Sequence, residues 1–144
     1  MAFRTAFFIL SLSVSLVESG MLSGSQPVTT NYYHIQRAAL NISPVACGIY
    51  GNDMDVSRIT AVQGLTFDEC GTCLRVSNPD DSTKFQFVMA VDRGGRGLDL
   101  NMDTFKVLFN GQESGAFMAK WEVTESSHCA GIITGNYTLP AYKA

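Results

Sequence analysis

The chain has no surplus of positive charge. Its 10 Lys and Arg stand against 13 Asp and Glu, for a formal charge of −3. That balance cannot neutralise a phosphate backbone, which disfavours nucleic acid as a partner. Charged residues of either sign make up only 16% of the 144 residues, and hydrophobic ones 46%. The mixture is too apolar for a disordered chain and sufficient for one modest core. The length allows one domain and hardly two. Proline is scarce, 4 residues against 13 glycines, so the loops lean on glycine. No second long apolar run follows the N-terminus, so no membrane span is expected. Internal repeats and low-complexity segments are missing too. The two histidines, His34 and His128, stand alone in the sequence and receive no role.

What is present begins with a leader. Residues 1–19 read as a secretory signal. Arg4 supplies the positive start, and Ala6 to Val17 (AFFILSLSVSLV) forms an apolar stretch too short for a comfortable transmembrane helix. Val17-Glu18-Ser19 then offers compact residues before a cut, placed ahead of Gly20 with a second option near Ser25. A buried N-terminal helix is the plain alternative; charge, length and ending all argue against it. The expectation is a secreted, extracellular protein. Export governs how the four cysteines, Cys47, Cys70, Cys73 and Cys129, are understood. An even count in an oxidising compartment implies two disulfides, although spacing alone does not choose among the three pairings. Cys70-Gly71-Thr72-Cys73 would serve redox chemistry in a cytosolic protein. With Cys47, Cys129 or His128 it would also suit zinc. Secretion favours structural bonds, so neither metal nor cofactor is expected. Asn41-Ile42-Ser43 and Asn136-Tyr137-Thr138 are glycosylation sequons, with Asn41 and Asn136 as acceptors.

Along the chain, residues 20–27 (GMLSGSQP) read as a flexible lead-in and Val28 to Tyr33 as a strand. Ala38 to Leu40 is too short to assign, and Cys47 to Asp55 reads as a glycine-punctuated loop. Ile59 to Val62 and Cys73 to Val76 are strand candidates, followed by a turn at Asn78-Pro79-Asp80-Asp81. Phe85 to Val91 (FQFVMAV) is the best strand, and its apolar end predicts burial on both faces. Asp92 to Gly97 (DRGGRG) is a glycine loop, and Leu98 to Leu100 a very short strand. Asn101 is a helix N-cap, with Met102, Phe105, Leu108 and Phe109 at helical spacing and a stop at Asn110-Gly111. Phe117 to Val123 alternates as a half-buried strand, which puts Trp121 in the core. Short strands with one short helix predict a small β-barrel.

The run Val91 to Phe105 (VDRGGRGLDLNMDTF) is the most informative. Its glycines let the backbone cross closely under another segment. It resembles the loop-strand-helix segment of double-psi β-barrels, shared by barwin, expansins and family-45 endoglucanases. Together with Val45-Ala46-Cys47-Gly48, Cys70-Gly71-Thr72-Cys73 and a late Cys129, it is similar to the four-cysteine pattern of the cerato-platanins, small secreted fungal proteins. Their CGTC motif, V-D-x-G-x-G loop and x-N-x-x-x-x-F helix start correspond to CGTCLRV, VDRGGRG and LNMDTF in this chain. The resemblance spans residues 28–132, leaving 133–144 as a C-terminal tail. Asp99 departs from the family, and Gly97 to Leu100 is closer to barwin and expansins. The resemblance implies a mainly β fold: a six-stranded double-psi β-barrel with one or two short helices. It also implies the disulfides Cys47–Cys70 and Cys73–Cys129.

For function, the resemblance implies a secreted, non-catalytic, wall-associated protein. Such a protein would bind cell-wall polysaccharide or chitin and glucan oligomers, loosen wall polymers, and act as an elicitor or effector on a host surface protein. Tyr32, Tyr33 and Tyr50 are candidate platforms for sugar rings, with Asp92, Asp99 and Arg96 as polar groups. One of Tyr32 and Tyr33 must turn inward, since strand neighbours alternate, and Asp92 serves equally well as a bond to loop amides. A glycoside hydrolase is the first alternative. Endoglucanase-like chemistry needs a carboxylate on the first strand opposite Asp99, and Val28 to Tyr33 has none. Nothing in the sequence aims Asp53, Asp55 or Asp68 into that place. A protease-inhibitor or other protein-binding module is the second alternative, since small disulfide-bonded barrels make good scaffolds.

Overall fold

A computed structural model describes residues 20–33 and 36–142. The secretory signal over 1–19 and His34 lie outside the described residues. In chain order the described elements are β1 (Gly24–Asn31), α1 (Arg37–Leu40), β2 (Ile59–Gln63), β3 (Cys73–Asn78), β4 (Asp81–Gly94), β5 (Leu98–Asn101), α2 (Met102–Leu108) and β6 (Phe117–Val123). The strands close into a barrel in the order β1-β5-β2-β4-β3-β6. β1 runs parallel to β5 and β2 parallel to β4; the remaining neighbours are antiparallel. This is the expected mainly β, six-stranded architecture with two short helices.

The cysteines pair as Cys47–Cys70 and Cys73–Cys129, as the resemblance implied. Val88, Met89, Ala90 and Val91 are all buried, so the apolar end of β4 is covered on both faces. Trp121 is 1% exposed, and its indole N–H donates to the Met21 carbonyl at 2.9 Å. Asn101 caps α2 by accepting from the Asp103 amide at 2.8 Å. The helix ends where Asn110 and Gly111 take positive φ, 55° and 83°. Gly97, φ 45°, lets the glycine loop pass against the Gln26 side chain, where a β-carbon would collide. Its amide and carbonyl are tied to Gln63, each at 2.9 Å, which fastens the loop to the end of β2.

Several boundaries differ from expectation, most at β1 and β4. β1 begins at Gly24 rather than Val28, because Gly24 to Pro27 pair antiparallel with Met118 to Trp121. Gly24 lies against the indole, where a β-carbon would come within 2.6 Å of Trp121. β1 also stops at Asn31, so Tyr32 and Tyr33 follow the strand instead of belonging to it. β4 extends at both ends of Phe85–Val91, taking in Asp81 from the turn and Asp92 to Gly94 from the glycine loop. The segment after Ile132 folds back on the barrel: Leu139 is buried, and the Ala141 amide donates to the Cys70 carbonyl at 3.0 Å.

Candidate functional site

The extension of β4 gives Asp92 a fixed register. Asp92 pairs with Ala61 on β2, Ala61 pairs with Asp99 on β5, and Asp99 pairs with Thr29 on β1. Directly paired residues share a face of the sheet. Thr29, Asp99, Ala61 and Asp92 therefore form one row across four strands. Adjacent strands lie about 4.8 Å apart, which separates the two aspartate backbones by about 10 Å. Ala61 has only a methyl group to fill the space between them. Gly94 borders the same floor: a β-carbon there would lie 2.9 Å from Asp99 Oδ2 and 3.3 Å from Ala61 Cβ.

Each carboxylate is held by protein donors. Asp92 accepts from the Ala46 amide at 2.9 Å and from the Tyr33 hydroxyl at 3.1 Å. Asp99 accepts from the Thr29 hydroxyl. Neither forms an ion pair with a cation among the described residues. Tyr33 is 1% exposed. Burial pushes its phenol far above the ordinary range, and the negative charge of Asp92, the hydrogen bond to it and the charge of Asp99 push the same way. The phenol therefore stays protonated and remains a donor. Asn101 lies two residues beyond Asp99, hence on the same face of β5. It is fully buried, and its Nδ2 has no partner among the described residues.

The glycine loop thus brings Asp92 and Asp99 to one surface, as the sequence suggested. The other candidates are dispersed. Arg96 is exposed at the loop tip and forms no ion pair with either carboxylate among the described residues. Tyr32 is 42% exposed, whereas Tyr33 is buried, so Tyr33 does not serve as a platform. Tyr50, 43% exposed, belongs to a second cluster: its amide donates to Tyr137 Oη at 3.3 Å, and that hydroxyl donates to Asp53 at 2.7 Å. The hydrogen bond to Asp53 raises the Tyr137 phenol above its ordinary value, and burial adds to it. Asp55 is engaged with Ser57, and Asp68 is exposed in a separate turn. The Asn41 side chain accepts from the Asn52 amide at 2.8 Å, while Asn136 is exposed. Sequence reasoning missed Thr29, Ala61 and Asn101 as members of the site. The only signal they leave is a strand register that spans β1 to β5. A separate groove of about 430 Å³ lies at the opposite end of β4, between the Asn78–Asp80 turn and the Phe109–Phe117 stack.

No protein-family profile matches the chain, and no curated protein sequence matches it. Solved structures do. Cerato-platanin 2 from M. perniciosa superposes with a TM-score of 0.60 at 16% identity, over 74% of this chain and 99% of that one. Cerato-platanin 3 from the same organism gives 0.57 at 20% identity, over 74% and 98%. The solution structure of the fungal elicitor cerato-platanin gives 0.55 at 18%, again over 74% and 98%. At these identities the likeness resides in the backbone, and on that ground the chain has the cerato-platanin fold.

Proposed function

We propose that the protein is a secreted, cerato-platanin-type binder of wall polysaccharide or of chitin and glucan oligomers. It holds them without hydrolysis and acts as an elicitor at a host surface. The observation that carries this is the row Asp92–Ala61–Asp99, two half-buried carboxylates on either side of a small buried residue. Both carboxylates already accept protein hydrogen bonds and keep further lone pairs for ligand hydroxyls. The neutral Tyr33 phenol fixes the orientation of Asp92. Hydrolysis asks one carboxyl group to carry a proton while the other activates water. Here both are engaged as acceptors, and β1 adds no third carboxylate.

The test is isothermal titration of chitohexaose, cellohexaose and laminarihexaose against the purified protein and Asp99→Asn. Loss of a charge-assisted bond costs about 1.5–3 kcal/mol, one to two decades in affinity. Asn retains an acceptor for Thr29, so the fold should be unchanged. Equal affinity of parent and variant would remove Asp99 from the site. One observation favours hydrolysis as a second reading: an aspartate spacing of two strands is compatible with the roughly 6.5–9.5 Å between carboxyls of inverting glycosidases. Reducing sugar released by the parent and lost in Asp99→Asn would put that reading in place of the binder.

A further inference from the structure

The first described residue makes an unusual contact. The backbone nitrogen of Gly20 lies 2.9 Å from Glu69 Oε1 and 2.8 Å from Oε2. A peptide nitrogen has one hydrogen, so it must divide it between two equivalent acceptors. An ammonium group has three, enough for one to each oxygen, and its positive charge matches the carboxylate. Glu69 is fixed before any terminus arrives. Its Oε2 accepts from the Thr66 amide at 2.8 Å and the Thr66 hydroxyl at 2.9 Å, a capping box closing the turn Phe67–Glu69. Its neighbour Cys70 is anchored by the bond to Cys47. The approach leaves no room for a side chain at position 20: a β-carbon there would lie 2.7 Å from Glu69 Oε2 and 3.0 Å from Leu65 Cα.

We propose that Glu69 is a receptor for a newly made chain terminus. Cleavage between Ser19 and Gly20 releases an α-ammonium that docks on the Glu69 carboxylate and anchors the strand that closes the barrel. In the cleavage a leader-removing protease adds water across the Ser19–Gly20 amide. The carbon–nitrogen bond breaks, Ser19 leaves as a carboxylate, and Gly20 keeps its nitrogen as the ammonium. The carboxylate has no other cationic partner among the described residues. One residue on, the Met21 amide donates to the Gln63 carbonyl at 2.9 Å and the Met21 carbonyl receives the Trp121 indole. Three successive contacts thus deliver the chain into β1, which pairs with both β5 and β6. Burial raises the Glu69 carboxyl, and the bonds from Thr66 and Gly20 overcome it, holding the group below its ordinary value.

The experiment is secretion of the complete chain, followed by N-terminal sequencing and titration of the terminal amine. The mature protein is expected to begin at Gly20; any other start overturns the proposal. The α-amino group, ordinarily titrating at roughly 7.7–8.0, should be raised by about one unit beside the carboxylate. Glu69→Gln, which keeps the capping bonds, should return it to the ordinary range. An ordinary value in the parent overturns the proposal. Should Glu69→Gln fail to fold, a protein beginning at Ser19 serves in its place. Its unfolding constant at pH 6 should be about tenfold larger than that of the Gly20 form. The gap should close above pH 10, where the amine loses its proton. Identical urea midpoints at pH 6 would overturn the proposal. The inference rests on the secretion in the proposed function, but none of these measurements involves sugar binding, so they stand or fall separately from the sugar-binding part of that reading.

Discussion

Ala61 and Gly94 are the smallest members of the candidate site, and their size shapes it. Gly94→Ala would put a β-carbon 2.9 Å from Asp99 Oδ2. The obstructed atom is the end of a side chain, so the carboxylate swings away at little cost. Oligosaccharide affinity should fall by about tenfold, equivalent to about 1.4 kcal/mol, while the melting temperature barely moves. A melt and a titration on the same sample decide it. Tyr33→Phe should behave in the opposite way. It removes a hydrogen bond to a charged acceptor, worth about 1.5–3 kcal/mol, and should lower the melting temperature visibly. The Tyr33 phenol is raised by burial, so the stability it gives is complete below the unfolded tyrosine value near 10 and fades as pH climbs above it. Tyrosinate absorbance should show one phenol silent until the protein unfolds in alkali. At this scale the sequence disclosed part of the site. Asp92 and Asp99 flank three glycines, which marks them as neighbours of one loop, and the register through Ala61 sets them on one face. Which of Tyr32 and Tyr33 turns inward was not legible, because alternation ceases to apply once β1 ends at Asn31.

Among the elements, β1 best separates what local chemistry specifies from what long-range packing specifies. Its first four residues, Gly-Ser-Gln-Pro, have poor strand propensity. They become a strand because β6 offers a ladder and Trp121 needs a flat neighbour. Gly24→Ala should force the indole aside and cost about 1–3 kcal/mol. Tryptophan fluorescence should shift to the red in parallel with the lowered urea midpoint. β4 errs in the opposite direction. Its apolar centre, Val88 to Val91, was plain from composition, but Asp92 to Gly94 look like loop residues. They join the strand only because β2 runs parallel alongside. α2 was legible throughout, since its cap, its apolar spacing and its Asn110-Gly111 stop are all local signals.

For the whole molecule, the two disulfides carry much of the stability. They link cysteines 23 and 56 residues apart. Loop-closure entropy assigns them about 3.5 and about 4.2 kcal/mol. Full reduction should therefore unfold so small a barrel at moderate temperature, as near-ultraviolet circular dichroism would record. Acid should act through Glu69. A carboxyl held below its ordinary value of 4.5 stabilises the fold above that pH, and the contribution disappears as pH falls through the depressed value. Glu69→Gln should thus be less stable than the parent at pH 6 and converge with it near pH 2. Closure of the barrel also sets a timetable for synthesis. β1 is the first strand to emerge, yet its partners β5 and β6 are the last two. No cotranslational intermediate can therefore complete the ladder. Cys47 and Cys70 both precede Cys73 and Cys129 along the chain, so the first bond has both of its cysteines before the second does. A nascent chain truncated before residue 129 leaves Cys73 as a free thiol beside a finished Cys47–Cys70 pair, a species open to mispairing. Closure of the barrel and correct pairing of the second bond accordingly wait for the C-terminal part of the chain, which supplies β6 and Cys129.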